Sequence, residues 1–277
     1  MSGVRVEEFA HNLQLNDQGL WISKGQFQTS YPEGGHTWCF SVEESSFWFN
    51  HRNRCIIEML KATPPAGFIL DVGGGNGFVS LAIEKAGWEV VLLEPGKGAL
   101  NARSRGLSTV INSTFENAGL KPHSIPAIGL FDVLEHIRDD AGFLAAINAA
   151  LIVGGKLYMT VPAYRFLWSR DDESAGHFRR YSASLISTRL RQAGFRIDFL
   201  TFIFVPLPAP IFLCRVLPVK IGIGRSADLR EQDNEHRKPR GLLGRLFDGL
   251  LSLEILAIRQ GYSAPFGGSL LLAASSL

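Results

Sequence analysis

The chain is poor in cysteine, carries almost no surplus of either charge, and has no clean apolar run of membrane-spanning length. Cys39, Cys55 and Cys214 are far apart, odd in number and without metal-ligand spacing. That excludes a disulfide framework and points to a reduced, cytoplasmic protein with no bound metal. With 28 Lys and Arg against 26 Asp and Glu, the net charge is +2. There is no basic field of the kind that nucleic acid attracts. Residues 1–8 hold no apolar signal-peptide core. The stretch 199–219 has the length of a spanning helix, but Pro206, Pro208, Pro210 and Pro218 interrupt it. A buried strand followed by a short amphipathic helix fits it better.

What the sequence does have is one sharp transition. The apolar run Phe68-Ile-Leu-Asp-Val72 passes straight into Gly73, Gly74, Gly75, Asn76 and Gly77, and then into the helix-like Phe78-Val-Ser-Leu-Ala-Ile-Glu-Lys-Ala86. Strand, tight turn and helix start are the parts from which α/β proteins build nucleotide sites. Glycines admit a ligand close to the backbone, and a helix N-terminus offers unpaired N–H groups. A second buried strand, Trp88 to Leu93, ends in Glu94, about 20 residues on, where an acid accepts two ribose hydroxyls. Nicotinamide enzymes share that feature, so Glu94 alone leaves a dehydrogenase open.

Further strands are read at residues 109–113, 127–134, 153–161, 195–205 and 269–275, with helices between most of them. Seven strands alternating with helices predict a doubly wound, mostly parallel α/β sheet. Residues 1–62 are read as an N-terminal arm and helix able to form a flap over the site, 63–205 as the ligand-binding core, 206–265 as a helical insert, and 266–277 as the strand that completes the sheet. Ser45 or Ser46 caps a helix carrying Trp48, Phe49 and Arg52, which either packs on the core or forms a flap over the ligand. Within the insert, Leu243, Leu246, Leu250, Leu253, Leu256 and Ala257 share one apolar face. The two apolar pieces of the insert read as a lid, a substrate wall or a membrane-surface patch. The charged run 225–240 between them reads as a solvated linker.

Together these residues resemble the class I S-adenosylmethionine-dependent methyltransferases, and more narrowly the bacterial type 11 or 12 group. Asp71-Val-Gly-Gly-Gly-Asn-Gly77 matches the family's glycine loop, Glu94 its ribose-binding acid, and Phe131-Asp-Val-Leu-Glu-His-Ile137 its segment after strand four. Trp48-Phe-x-x-Arg-Asn53, Leu167-Trp-Ser-x-x-Asp172 and Gly176-His-x-Arg-Arg-Tyr181 resemble a subgroup found in glycan, lipid or natural-product settings. Gly74 stands where the family usually has cysteine or alanine, and the long insert departs from its minimal fold. The resemblance implies a Rossmann-like fold with S-adenosylmethionine as cofactor. Asp71, Gly73, Gly75, Gly77, Glu94, Phe115 and Leu134 would hold it, with Glu116 and Glu135 nearby.

The acceptor is expected to be a hydrophobic or aromatic small molecule methylated at oxygen, with no nucleic acid involved. N- or C-methylation, or a lipid- or polyprenyl-linked acceptor at a membrane surface, is the alternative. His177 and His136 are the candidate bases. Trp48, Tyr164, Trp168, Arg179, Arg180 and Tyr181 are the candidate acceptor contacts. Arg179 and Arg180 either pair with Asp171 and Asp172 or clamp an anionic acceptor.

Overall fold

A computed structural model describes residues 3–23, 33–220 and 241–277. Nine strands form one sheet in the order β1-β2-β5-β4-β3-β6-β7-β9-β8. They are β1 (Leu13–Leu15), β2 (Trp21–Ser23), β3 (Ile69–Val72), β4 (Val90–Leu93), β5 (Thr109–Asn112), β6 (Ile125–Phe131), β7 (Leu151–Pro162), β8 (Phe195–Ile203) and β9 (Ser269–Ser276). Seven were expected. The two extra strands come from the N-terminal arm, where β2 pairs in parallel with β5 and β1 closes the edge antiparallel. The arm is thus part of the sheet as well as helical, and its three-residue strands are too short for a period-2 pattern to show. The run 225–240 lies outside the described residues.

From β5 to β7 the sheet is parallel, and β9 enters antiparallel between β7 and β8. Every residue of β3 and β4 is buried, as continuous apolar strands covered on both faces require. On one face Ile147, Ile186 and Leu190 pack from the helices Asp140–Ala150 and Ala183–Gln192. On the other, Ile56 and Met59 of the helix Phe47–Ala62, Ile83 of Phe78–Lys85, and Ile255 and Ile258 of Gly241–Arg259 form a second layer. Ser46 caps the helix Phe47–Ala62, its side chain accepting from the N–H groups of Trp48 and Phe49 at 3.2 and 3.4 Å.

Strand six of the expected order, β8, runs into a short helical segment (Pro208–Lys220), as the prolines suggested. Among the described residues no helix is long and apolar enough to cross a membrane. The helix Gly241–Arg259 is anchored by Glu254. Its carboxylate accepts from the backbone N–H of Phe204 and of Val205, both at 2.9 Å, and lies 2.6 Å from His51 Nε2. Cys55 adjoins the same group, and burial first, then Glu254, pushes its thiol pKa well up. The insert is thereby tied to both the sheet and the first long helix.

Gly77 shows how tightly the glycine loop is set. It caps the helix Phe78–Lys85 at φ 73°, and a Cβ there would collide with Leu107 and come within 2.8 Å of Ala102 Cβ. Gly77→Ala combines left-handed backbone with overpacking. It is expected to cost about 2 kcal/mol or more of unfolding free energy in urea titrations.

Candidate active site

The parallel strands end along one edge, and a cavity of about 800 Å³ opens there, the usual place for ligands in open α/β sheets. Three non-glycine residues with left-handed backbone stand at this edge: Asp132 after β6 (φ 58°), Tyr164 after β7 (φ 58°) and Phe204 after β8 (φ 61°). Strain of this kind persists where neighbours hold it and often marks a working site. Here Arg52 binds the Asp132 carboxylate, the Tyr164 N–H donates to Tyr181 O at 2.8 Å, and Glu254 takes the Phe204 N–H.

The glycine loop lines one side. Gly73 (φ 70°) faces Val133, whose methyls would lie 3.0 Å from an added Cβ, whereas a Cβ on Gly75 (φ 56°) would enter open space. Close approach is therefore needed on one side of the loop and room is kept on the other. Asp71 is fully buried behind the loop. Its Oδ2 accepts from Ser80 Oγ at 2.5 Å, while Oδ1 has no partner. Burial raises its pKa to about 6, against the lowering pull of Ser80 and Arg52. A Cβ at Gly74 would strike Asp71 Oδ2 and Leu92, so glycine at this position makes room for the buried carboxylate.

Glu94 accepts from the Gly75 N–H at 3.0 Å, and its other oxygen lies 3.7 Å from His36 Nε2. Burial raises its pKa to about 8, helped by the charge of Asp71. Glu135 is buried as well, and its pKa is raised well above the ordinary value by burial and by Asp132. Arg180 and Arg52 answer Glu135 with positive charge from the wall. Arg52 pairs with Asp132 and sits 4.9 Å over the Trp48 ring and 5.3 Å over Phe49.

The helix Glu33–Val42 closes over the loop, an arrangement that the pattern of residues 1–36 did not suggest. Asn76 Nδ2 donates to His36 O at 2.9 Å, Arg105 pairs with Glu43 at 2.5 Å, and Lys97 Nζ donates to Thr37 Oγ1 at 2.8 Å. His36 and Trp38 thus join the cavity lining. Trp48 lines it too, stacked on Phe204 with ring centroids 5.3 Å apart and planes 3° from parallel. The helix of Trp48 and Arg52 packs on the core and its first turns face the cavity.

Farther along the edge lie the two histidines. His177 Nδ1 is 2.8 Å from Asp172 Oδ1, and the same oxygen accepts from Arg180 Nε at 2.8 Å. Burial works to raise the pKa of Asp172, but the bonds from His177 and Arg180 outweigh it and hold the carboxyl low. His136 meets His177 edge to face at 4.7 Å. Burial and the neighbouring His177 lower its pKa to about 4, so its ring is neutral at pH 7. Glu135, His136 and His177 bring ligand atoms within 4.8 Å of one another, a donor set that could also hold a cation, as do His51, Cys55 and Glu254. In the second set the thiol is protonated and the carboxylate already accepts from two backbone N–H groups.

Of the residues singled out in the sequence, Gly73, Gly75, Glu94, Phe115, Glu116, Trp48, Glu135, His136, His177 and Arg180 line the cavity. Leu134, Asp71, Gly77, Tyr164, Trp168, Arg179 and Tyr181 stand outside that lining. Leu134 is core, and Tyr181 is buried, its hydroxyl donating to Asp140 Oδ2 at 3.1 Å. Tyr164 stacks on Phe202 at 5.1 Å, and Trp168 Nε1 donates to Glu173 Oε1 at 3.3 Å. Arg180 takes its expected partner, but Arg179 pairs with Asp140 at 2.6 Å. Asp171 is held instead by Arg215 of the insert at 3.0 Å. No periodicity links residues 44 positions apart, so only the structure shows that pair.

A family model described as a methyltransferase domain matches residues 48–199, more than half of the chain. The chain belongs to this family. Its cofactor is S-adenosylmethionine, and the site suits that group: the buried Glu94 carboxylate lines the cavity and would take ribose hydroxyls, Asp71 Oδ1 is buried without a donor, and the loop is open at Gly75. The methyltransferase is similar to the ubiquinone biosynthesis O-methyltransferase of Hahella chejuensis, 28% identical over 107 residues, 36% of this chain and 45% of that protein. A second such enzyme, from Vibrio parahaemolyticus, is 29% identical over 99 residues, 33% of this chain and 42% of that protein. The matched stretch thus spans less than half the length of these curated relatives. Among solved structures the fold is similar to a possible histamine N-methyltransferase from Thermotoga maritima, with TM-score 0.53 and 17% identity over 88% of this chain and 99% of that one.

The buried acids give the ligand-free methyltransferase a testable pH profile. Glu94 holds its proton to about pH 8 when folded and releases it near 4.5 when unfolded. The folded state binds more protons across that window, so stability falls as pH rises. His136, moved from 6.5 to about 4, acts in the opposite sense below 6.5. Thermal melts should therefore show Tm falling between about pH 6.5 and 8, with a shallower slope in Glu94→Gln. A flat or rising Tm in the parent protein over that range would contradict these assignments.

Proposed function

We propose that this methyltransferase methylates an oxygen atom of an apolar or aromatic small molecule, with His177 as the base. The observation that carries this reading is the Asp172–His177 pair at the cavity lining. S-adenosylmethionine, when bound, supplies an electrophilic methyl group on a sulfonium. The chain must then hold the acceptor in line, keep water out and receive the hydroxyl proton. Asp172 accepts at Nδ1 and fixes the ring, which leaves His177 Nε2 to take that proton. Arg180, bound to the same carboxylate oxygen, keeps Asp172 ionised and in place.

Neutral His136 packs against His177 without competing for the proton. Trp48, Phe204, Leu207 and Ile211 supply the apolar wall, which excludes water and suits an aromatic or aliphatic body. The O-methyltransferases to which the chain is similar support oxygen as the target. A second reading, an acceptor carrying a lipid or polyprenyl chain, is favoured by the wall that Leu207, Pro210 and Ile211 of the insert provide.

Incubation with labelled S-adenosylmethionine and a series of phenols of increasing apolar size should give methyl ethers, identified by mass spectrometry. His177→Ala should lower kcat by about 10²- to 10⁴-fold while donor affinity stays within about twofold. Transfer to amines alone, or an unchanged kcat in the variant, would reject the assignment.

A further inference from the structure

The helix Gly241–Arg259 carries apolar residues on two sides. Leu251, Ile255 and Ile258 are buried against the body of the protein. Leu246, Leu250, Leu253 and Leu256 are 61%, 40%, 63% and 45% exposed. At helical spacing these four fall on one stripe, about half a turn from the buried set. The apolar face read from the sequence as a lid, a substrate wall or a membrane-surface patch is turned outward at Leu246, Leu250, Leu253 and Leu256. The inward side uses residues that the sequence pattern did not single out.

Such a stripe needs an occupant. A second copy of the chain is a poor one. Four partly exposed leucines supply at most a few hundred Å², against the about 800 Å² per partner of a standard interface. The surroundings of the stripe suit a lipid surface instead. Exposed Arg245 stands near one end, Arg259 at the other end is paired with Glu58 at 2.9 Å, and Tyr262 follows the helix at 66% exposure. Asp248, the one exposed acid of the helix, lies to the side of the stripe by helical spacing. An arginine beside a row of leucines, with an aromatic at the boundary, suits a helix lying in the headgroup layer of an anionic bilayer. The other apolar piece of the insert behaves similarly: Leu213 is 58% exposed, while its neighbours Ile211 and Cys214 line the cavity.

We propose that the insert docks the methyltransferase on anionic membrane surfaces through Leu246, Leu250, Leu253 and Leu256, with Arg245 at the headgroups. The helix lies on the surface and does not cross it. Its position joins docking to the site. Phe247 packs edge to face on Phe47, a cavity-lining residue, at 5.2 Å, and Glu254 holds Phe204, another. The acceptor end of the cavity is thus walled by residues that touch the docking helix.

The test is co-sedimentation of the full chain with vesicles of equimolar phosphatidylcholine and phosphatidylglycerol, beside phosphatidylcholine alone. The full chain should bind the anionic vesicles and bind the neutral ones at least tenfold more weakly. Leu250→Asp with Leu253→Asp, both at exposed positions, should cut anionic-vesicle binding by at least tenfold. S-adenosylmethionine affinity, read in the same preparations, should stay within twofold and show that the variant is folded. Three outcomes would overturn the proposal: no binding by the parent chain, equal binding by the variant, or a dimer in solution that the two substitutions dissociate. None of these measurements requires methyl transfer, so docking and the proposed reaction stand or fall separately.

Discussion

The cost of burying carboxylates beside an apolar-walled cavity governs this structure. Asp71, Glu94 and Glu135 all lie at or behind the cavity lining, and burial is the largest influence on each, raising its pKa. A low-dielectric site either keeps such groups protonated or supplies donors and positive charge. The protein supplies some of both. Ser80 donates to Asp71, the Gly75 N–H to Glu94, and Arg52, lying over two aromatic rings, binds Asp132. The remainder suits a ligand with ribose hydroxyls and a sulfonium charge.

The same site depends on backbone held away from its relaxed state. Asp132, Tyr164 and Phe204 take left-handed conformations at three neighbouring strand ends. Each is fixed by a group distant in sequence: Arg52, Tyr181 and Glu254. The first long helix, the loop after β7 and the insert therefore act as braces for the strand ends. The insert does more than extend the fold, because Glu254 fixes the very residue, Phe204, whose ring stacks on Trp48. Changes in the insert can in this way reach the acceptor wall without touching the acceptor.

How far the sequence disclosed this follows from the range of each signal. Strands β3 and β4 are short apolar runs buried on both faces, and their pattern is local, as is the glycine turn between β3 and its helix. Fold class, the glycine loop and Glu94 could all be read for that reason. Partners distant along the chain could not. Asp171 binds Arg215 and Arg179 binds Asp140, and neither pairing leaves a mark in spacing. The helix Glu33–Val42 was hidden because Gly34 and Gly35 break its periodicity. The helix Gly241–Arg259 misled in a different way: it is apolar on two sides, and periodicity does not say which side meets the core.

Glu94, raised to about 8 by burial, is expected to give up its proton as it takes the ribose hydroxyls of the donor. Titration calorimetry of S-adenosylmethionine binding at pH 7, in two buffers of different ionisation enthalpy, measures the protons exchanged. With Glu94 raised to about 8, most of one proton should be released on binding, and apparent affinity should rise between pH 6 and 8. Binding with no proton release, or with net uptake, would contradict the account.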